Sequence, residues 1–128
     1  MSYRYRYQRG FTLLEIIAAL VILSILAGLA IPRYISLDES AKQKAIDAGI
    51  AEMNGRETLT WSNLKISEAG WTDDPQTFAS IDTNLGNDYH WAVGDPDETG
   101  GTLNFKNSAA VPLTRTASTE VQPGQWRR

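Results

Sequence analysis

The chain has 128 residues, 42% of them hydrophobic, a formal charge of −3, one histidine and no cysteine. That length suits one modest domain with an appendage, and without cysteine there is neither a disulfide framework nor thiolate chemistry. Arg4, Arg6 and Arg9 are the only charges in the first ten residues; beyond them nine basic residues face fifteen acidic ones, a balance of −6 that disfavours nucleic acid as a partner.

Residues 11–31 form an apolar run in which Glu15 is the only charge. As a helix rising about 1.5 Å per residue, the run spans about 31 Å, close to the hydrocarbon thickness of a bilayer. Three arginines precede it and only Arg33 follows closely, which places the N-terminus in the cytoplasm and exports the remainder. Two plain readings share this pattern. One is a single-pass anchor; the other is a cleaved secretory signal of a secreted binding protein, with Gly28 and Ala30 as the small residues before Ile31. Both leave Glu15 without a purpose. A carboxylate in a membrane helix costs up to about 2.5–3.5 kcal/mol on insertion scales, and such residues ordinarily have a function and a partner.

The order Arg9-Gly10-Phe11-Thr12-Leu13-Leu14-Glu15, followed by the apolar run and then Pro32, closely resembles the class III signal of type IV prepilins and type II secretion pseudopilins. The resemblance covers about the first 35 residues closely and the order of elements behind them more loosely. It implies that a membrane-embedded prepilin peptidase cuts between Gly10 and Phe11 and then N-methylates the new amino group of Phe11. It also implies a life in two stages: first an inner-membrane protein with a cytoplasmic N-terminus, then a periplasmic or extracellular filament. In that filament, copies of this chain and related pilins stack their helices, driven by an assembly ATPase and platform protein. A structural pilin is the principal reading, and a pseudopilin that pushes secreted substrates outward is the alternative.

Each position has a physical reason. Gly10 lacks a side chain and can enter a tight protease cleft in an extended form. Cleavage leaves an ammonium on Phe11, four residues before Glu15, where the two charges can pair within a helix or between neighbours. An unpaired Glu15 in an apolar medium is costly, so the pair sets axial register between helices; otherwise the side chain snorkels to the headgroups. Pro32 cannot donate to the carbonyl of Gly28, itself a weak helix former. That neighbourhood is expected to kink, and the resemblance implies that it melts during assembly.

Beyond Pro32 the helix is expected to continue. Ile46, Ile50, Met53, Trp61 and Leu64 share one stripe, with Lys42, Lys44, Asp47 and Glu52 largely elsewhere and Gly49 and Gly55 weakening the pattern. Residues 65–87 read as a connecting loop anchored by Trp71, Phe78, Ile81 and Leu85. Three β-like runs follow, at 88–93, 102–105 and 110–116, and Pro112 demotes the last to an edge strand or shifts its start. The tail from 117 is either loose or tied back by Trp126. The expected fold is α+β and type IV pilin-like: a long N-terminal helix packed on an antiparallel sheet of about three strands. Its divisions are a leader (1–10), a transmembrane and filament-core helix (11–32), an amphipathic continuation (33–65), and a loop with a small β domain (66–128).

Little in the exported part suggests chemistry. Asp95 and Asp97, before Gly100, have the opening look of a calcium loop, but Lys106 stands where an EF-hand needs its last carboxylate. An acidic turn is the better reading. His90 has no second histidine or cysteine with which to build a metal site or a nucleophile–base relay. The four tryptophans read as core anchors rather than as surfaces for adhesion, DNA stacking or electron transfer. Neither a cofactor nor an enzymatic activity is expected.

Overall fold

The computed structural model describes residues 10–128, so Arg4, Arg6 and Arg9, and with them the expected leader before Gly10, lie outside the described residues. Helix α1 runs over Leu13–Ile66 and α2 over Asp74–Ala79; four strands follow, β1 (Tyr89–Trp91), β2 (Gly100–Phe105), β3 (Val111–Thr116) and β4 (Gln125–Arg127). The chain divides into two compact units, Met1–Asp38 and Glu39–Arg128.

In the first unit α1 is the only element among the described residues. Its start is written in the side chains. Thr12 Oγ1 accepts from Glu15 N (3.2 Å), while a Glu15 carboxylate oxygen accepts from Thr12 N (2.8 Å), the reciprocal pair of a capping box. Further along, Ser24 satisfies its hydroxyl on the Leu20 carbonyl (2.7 Å), so it adds no unpaired donor to an apolar helix. The helix is unbroken through Pro32.

In the second unit the expected stripe is the packed face of α1. Ile46, Gly49 and Met53 are buried, and they meet Leu103 of β2, Leu113 of β3, Trp126 of β4 and Ile81 in one core. Burying side chains of this size stabilises the unit by about 1.5–3 kcal/mol each. The absent side chain of Gly49 admits the Tyr89 ring, and the Tyr89 hydroxyl donates to the Ala45 carbonyl (2.7 Å). Helix and sheet are thus in close contact at this point.

The sheet is an antiparallel meander in the order β1-β2-β3-β4, with four strands rather than three. The extra strand lies in the polar tail, and Trp126 is what ties it down. Its indole is 2% exposed, and its backbone N–H and carbonyl both bond the Asn54 side chain (2.6 and 3.0 Å). The tail is therefore not loose, and β3 is not an edge strand, since it pairs with both β2 and β4. Proline fits there for a local reason. Arg115 N donates to Thr99 O, which makes the odd residues of β3 those bonded to β2 and turns the Pro112 nitrogen to the other side. There β4 reaches only Thr114–Thr116, so no ladder donor is missed at Pro112.

The segment expected as a plain loop also holds the short helix α2. Asp73 is its N-cap and accepts from Gln76 N (3.0 Å), and a proline stands in its first turn. Four indole N–H groups find acceptors: Trp61 on Thr119 O, Trp71 on Thr77 Oγ1, Trp91 on Thr83 O and Trp126 on Glu57. Trp126 is buried in the core and Trp91 packs against it, whereas Trp61 and Trp71 fasten chain segments outside it.

Candidate functional site

Two places stand out, one in each unit. At the start of α1, Gly10, Phe11 and Thr12 precede the first helical residue, Leu13. The Gly10–Phe11 peptide bond is therefore outside the helical hydrogen-bond ladder, where a protease cleft can take it in extended form. Phe11 is 85% exposed, and a Cβ at Gly10 would meet nothing within 4 Å. Glu15 is held by Thr12 through the backbone N–H and also through the hydroxyl, at 3.1 Å. The carboxylate is thus oriented toward the N-terminal end of its own helix, the end at which cleavage would release an amine.

From Leu13 to Ile31 every large aliphatic is 45% to 78% exposed. The segment is long and apolar enough to cross a membrane, and none of its most apolar window is buried within the chain. Surface of this kind needs lipid or another protein to cover it. Gly28 and Pro32 lie at its far end inside continuous helix, and the missing Pro32 N–H deprives the Gly28 carbonyl of its regular donor.

The second place went unseen in the sequence. Glu57 lies on the buried stripe of α1, four residues after Met53, and is 0% exposed. Arg115 of β3 faces it. The Arg115 Nε donates to one Glu57 oxygen and Nη2 to the other, while Nη1 and Nη2 both reach Asp74 of α2 at 2.8 Å. Ser118 adds its N–H and hydroxyl to Asp74, and the Trp126 indole donates to Glu57. Burial alone would raise the Asp74 carboxyl; the bonds from Arg115 and Ser118 outweigh it and hold it at about 2. Burial likewise opposes the charge on Arg115, but Asp74 and Glu57 together push its pKa up. Gly124 has to be glycine here, because a Cβ would lie 2.8 Å from Glu57 and 2.9 Å from Arg115. The cluster joins α1, α2, β3 and the C-terminal segment. It is a structural clasp: one guanidinium bridges two carboxylates, and Ser118 and Trp126 donate to the carboxylate oxygens as well. The clue was available in the spacing of 46, 50, 53 and 57, which puts a charge where a core residue belongs.

The calcium candidates are otherwise engaged or isolated. One Asp97 carboxylate oxygen accepts from Thr99 N, Thr99 Oγ1 and Gly100 N (2.8, 2.6 and 3.2 Å), which closes the turn into β2 and lowers the Asp97 pKa. Asp95 is exposed, and among the described residues no three His, Cys, Asp or Glu side chains converge as metal ligands. His90 is exposed on β1, opposite Asn104.

Comparison with known proteins bears on the first place. Residues 5–31 match the family model described as the prokaryotic N-terminal methylation motif. The chain is 29% identical to the type IV narrow pilus major component PilA5 of Thermus thermophilus over 91 residues, 71% of this chain and 75% of that protein. It is 51% identical to the type II secretion system core protein G of Dickeya chrysanthemi over 47 residues, 36% of this chain and 31% of that protein. No solved structure matches the chain.

Proposed function

We propose that this chain, which belongs to the superfamily of type IV pilins and type II secretion pseudopilins, is the structural subunit of a pilus-like filament, held in a membrane until its N-terminal helix is handed to its neighbours. The observation that carries the reading is the helix from Leu13 to Ile31: uncharged beyond Glu15, exposed at every large aliphatic, and headed by the methylation motif. A structural role follows from that surface, since helix packing is what it offers.

In this reading prepilin peptidase cuts Gly10–Phe11 and methylates the Phe11 amine. The arginines before Gly10 keep that end cytoplasmic, and the second unit is exported. The Phe11 ammonium of one copy then pairs with Glu15 of another, and Thr12 keeps the carboxylate turned toward the helix start. The Gly28–Pro32 stretch yields when the helices pack. An ATPase and a platform protein supply the work of extraction.

Intact-mass and N-terminal analysis of the mature protein tests the processing. We expect a chain beginning at N-methyl-Phe11; one beginning at Ile31 would mean an ordinary signal peptide and sink the filament reading. Glu15→Ala should leave insertion and cleavage intact and reduce filament yield at least about tenfold, the effect of some 1.4 kcal/mol at the contact. Normal filaments from that variant would remove Glu15 from the register role. The identity to core protein G over 47 residues favours a second reading, a secretion pseudopilin. The two separate on deletion: loss of surface filaments marks the pilin, and loss of protein secretion without such filaments marks the pseudopilin.

A further inference from the structure

Beside β1, the first strand of the sheet, the second unit has a small crevice that the clasp does not use. Thr83, Asn84 and Leu85 of the preceding loop line it together with Tyr89 and Trp91 of β1, and Asp95 completes the lining. Its volume is about 200 Å³, the share of about seven liquid water molecules. Pockets for drug-sized ligands are larger, so this one suits a small ion or head group.

Both rings are fixed before anything binds. The Tyr89 hydroxyl donates to Ala45 O (2.7 Å), and its ring meets Phe105 at 5.1 Å. The Trp91 indole donates to Thr83 O (2.9 Å), and its ring leans on Trp126 at 5.8 Å. The polar handle of each ring is thus spent, which leaves aromatic carbon as what the two can offer a ligand.

The charges around the crevice leave one carboxylate over. Arg56, which bonds Asp82 O and Asn84 O (2.6 and 2.8 Å), pairs with Glu52 at 2.9 Å and with Asp82 at 3.8 Å. Lys106 pairs with Asp88 at 3.8 Å. Asp95 is exposed, and among the described residues no hydrogen bond or ion pair engages its side chain. Rings and an unanswered carboxylate together complement a cation that carries alkyl groups. The rings attract its charge and its alkyl surface leaves water, whereas a compact, strongly hydrated ion gains little.

We propose that this crevice binds a small alkylammonium ion, free in solution, against Tyr89, Trp91 and Asp95. A zwitterionic head group fits less well, because its phosphate would be brought toward the Asp95 carboxylate. All six lining residues belong to the second unit, so the site does not depend on the filament reading.

The test uses the full chain in a non-ionic detergent at low ionic strength. Titration with tetramethylammonium chloride should shift the Trp91 indole N–H resonance, assigned from its loss in Trp91→Phe. The shift should saturate with a Kd on the order of 1–10 mM. Sodium chloride at matched concentration should move the resonance less and without saturation, and phosphocholine should bind more weakly than choline. Asp95→Asn removes no contact within the fold and should weaken binding about fivefold, the factor for a unit charge about 4 Å away in water; Asp95→Glu should restore most of it. Equal shifts from sodium and tetramethylammonium would mean charge screening alone and overturn the site. So would wild-type affinity in Asp95→Asn, or tighter binding of methyl glucoside than of tetramethylammonium. Phosphocholine binding at least as tightly as choline would overturn the assignment to a free ion in favour of a head group.

Discussion

Two glutamates on one helix show how differently the two units are stabilised. Glu15 lies in a segment whose large aliphatics are all at least 45% exposed, and its own hydrogen bonds come from Thr12 three residues away. Glu57 is sealed in the second unit and bonded by Arg115 and Trp126, which are distant in sequence. In one unit apolar surface is left over; in the other a charged group is buried against hydrogen-bonded partners. The first needs a surrounding, lipid or protein, before its helix is covered. The second, which has no cysteine for a disulfide, closes sheet, helix and tail on a charged clasp.

The strongest way to break that contrast is to remove Arg115. Arg115→Met leaves the buried Glu57 carboxylate without its cation and Asp74 with only Ser118, and breaking a buried pair from one side costs about 3–5 kcal/mol. Against a domain stability on the order of 5–15 kcal/mol, the second unit should lose much of its cooperative urea transition. Adding Glu57→Leu to Arg115→Met should recover part of the loss, because an apolar pair no longer strands a charge. If the double variant is no more stable than the single, Glu57 and Arg115 are not coupled as the geometry indicates. Membrane insertion, which belongs to the other unit, should be unchanged in both.

A smaller effect comes from titrating the same clasp. The Asp74 carboxyl is held at about 2, below its ordinary value of 3.8, and its side chain is only 12% exposed. A depressed folded-state pKa contributes stability that is present above the unfolded value and is lost as pH falls through the folded one. Asp74 should therefore contribute on the order of 2 kcal/mol at neutral pH, disappearing between about pH 4 and pH 2. Urea melts across that range should show the loss, and Asp74→Asn should flatten the slope while lowering neutral-pH stability. Parallel pH curves for the two proteins would assign the acid sensitivity to other carboxylates.

The two units also differ in how far the sequence revealed them. The apolar start of α1 was legible because a run of membrane-spanning length and the prepilin-type signal are both local patterns. The packed stripe was legible at Ile46 and Met53 for the same reason. Glu57 was not, because a charge at a core position reads as polar until its partner is known, and Arg115 is 58 residues away. The fourth strand was hidden likewise: Gln125–Arg127 has little strand character apart from Trp126, and it pairs because that indole has a pocket and a buried acceptor. Pro112 misled in a related way. The rule against proline in a paired strand holds for the side on which the nitrogen points, and the register that decides the side is not a local property.

The finest test sets two glycines of α1 against each other. Alanine is favoured over glycine in a helix by about 0.8–1.0 kcal/mol, so Gly55→Ala, with open space around it, should stabilise the free subunit by roughly that amount. Gly49→Ala makes the same gain but drives a methyl to 2.9 Å from the Tyr89 ring and 3.2 Å from Leu103. The ring has little room to yield, since its hydroxyl is tied to Ala45 O and its edge packs on Phe105 at 5.1 Å. Overpacking of this kind costs about 1–3 kcal/mol, so the net change at Gly49 should be destabilising by up to about 2 kcal/mol. Denaturant midpoints of the two variants should therefore move in opposite directions. If both rise, the helix–sheet contact at Gly49 is looser than the Tyr89–Ala45 hydrogen bond implies, and the second unit does not close its core there as tightly as its clasp closes on Arg115.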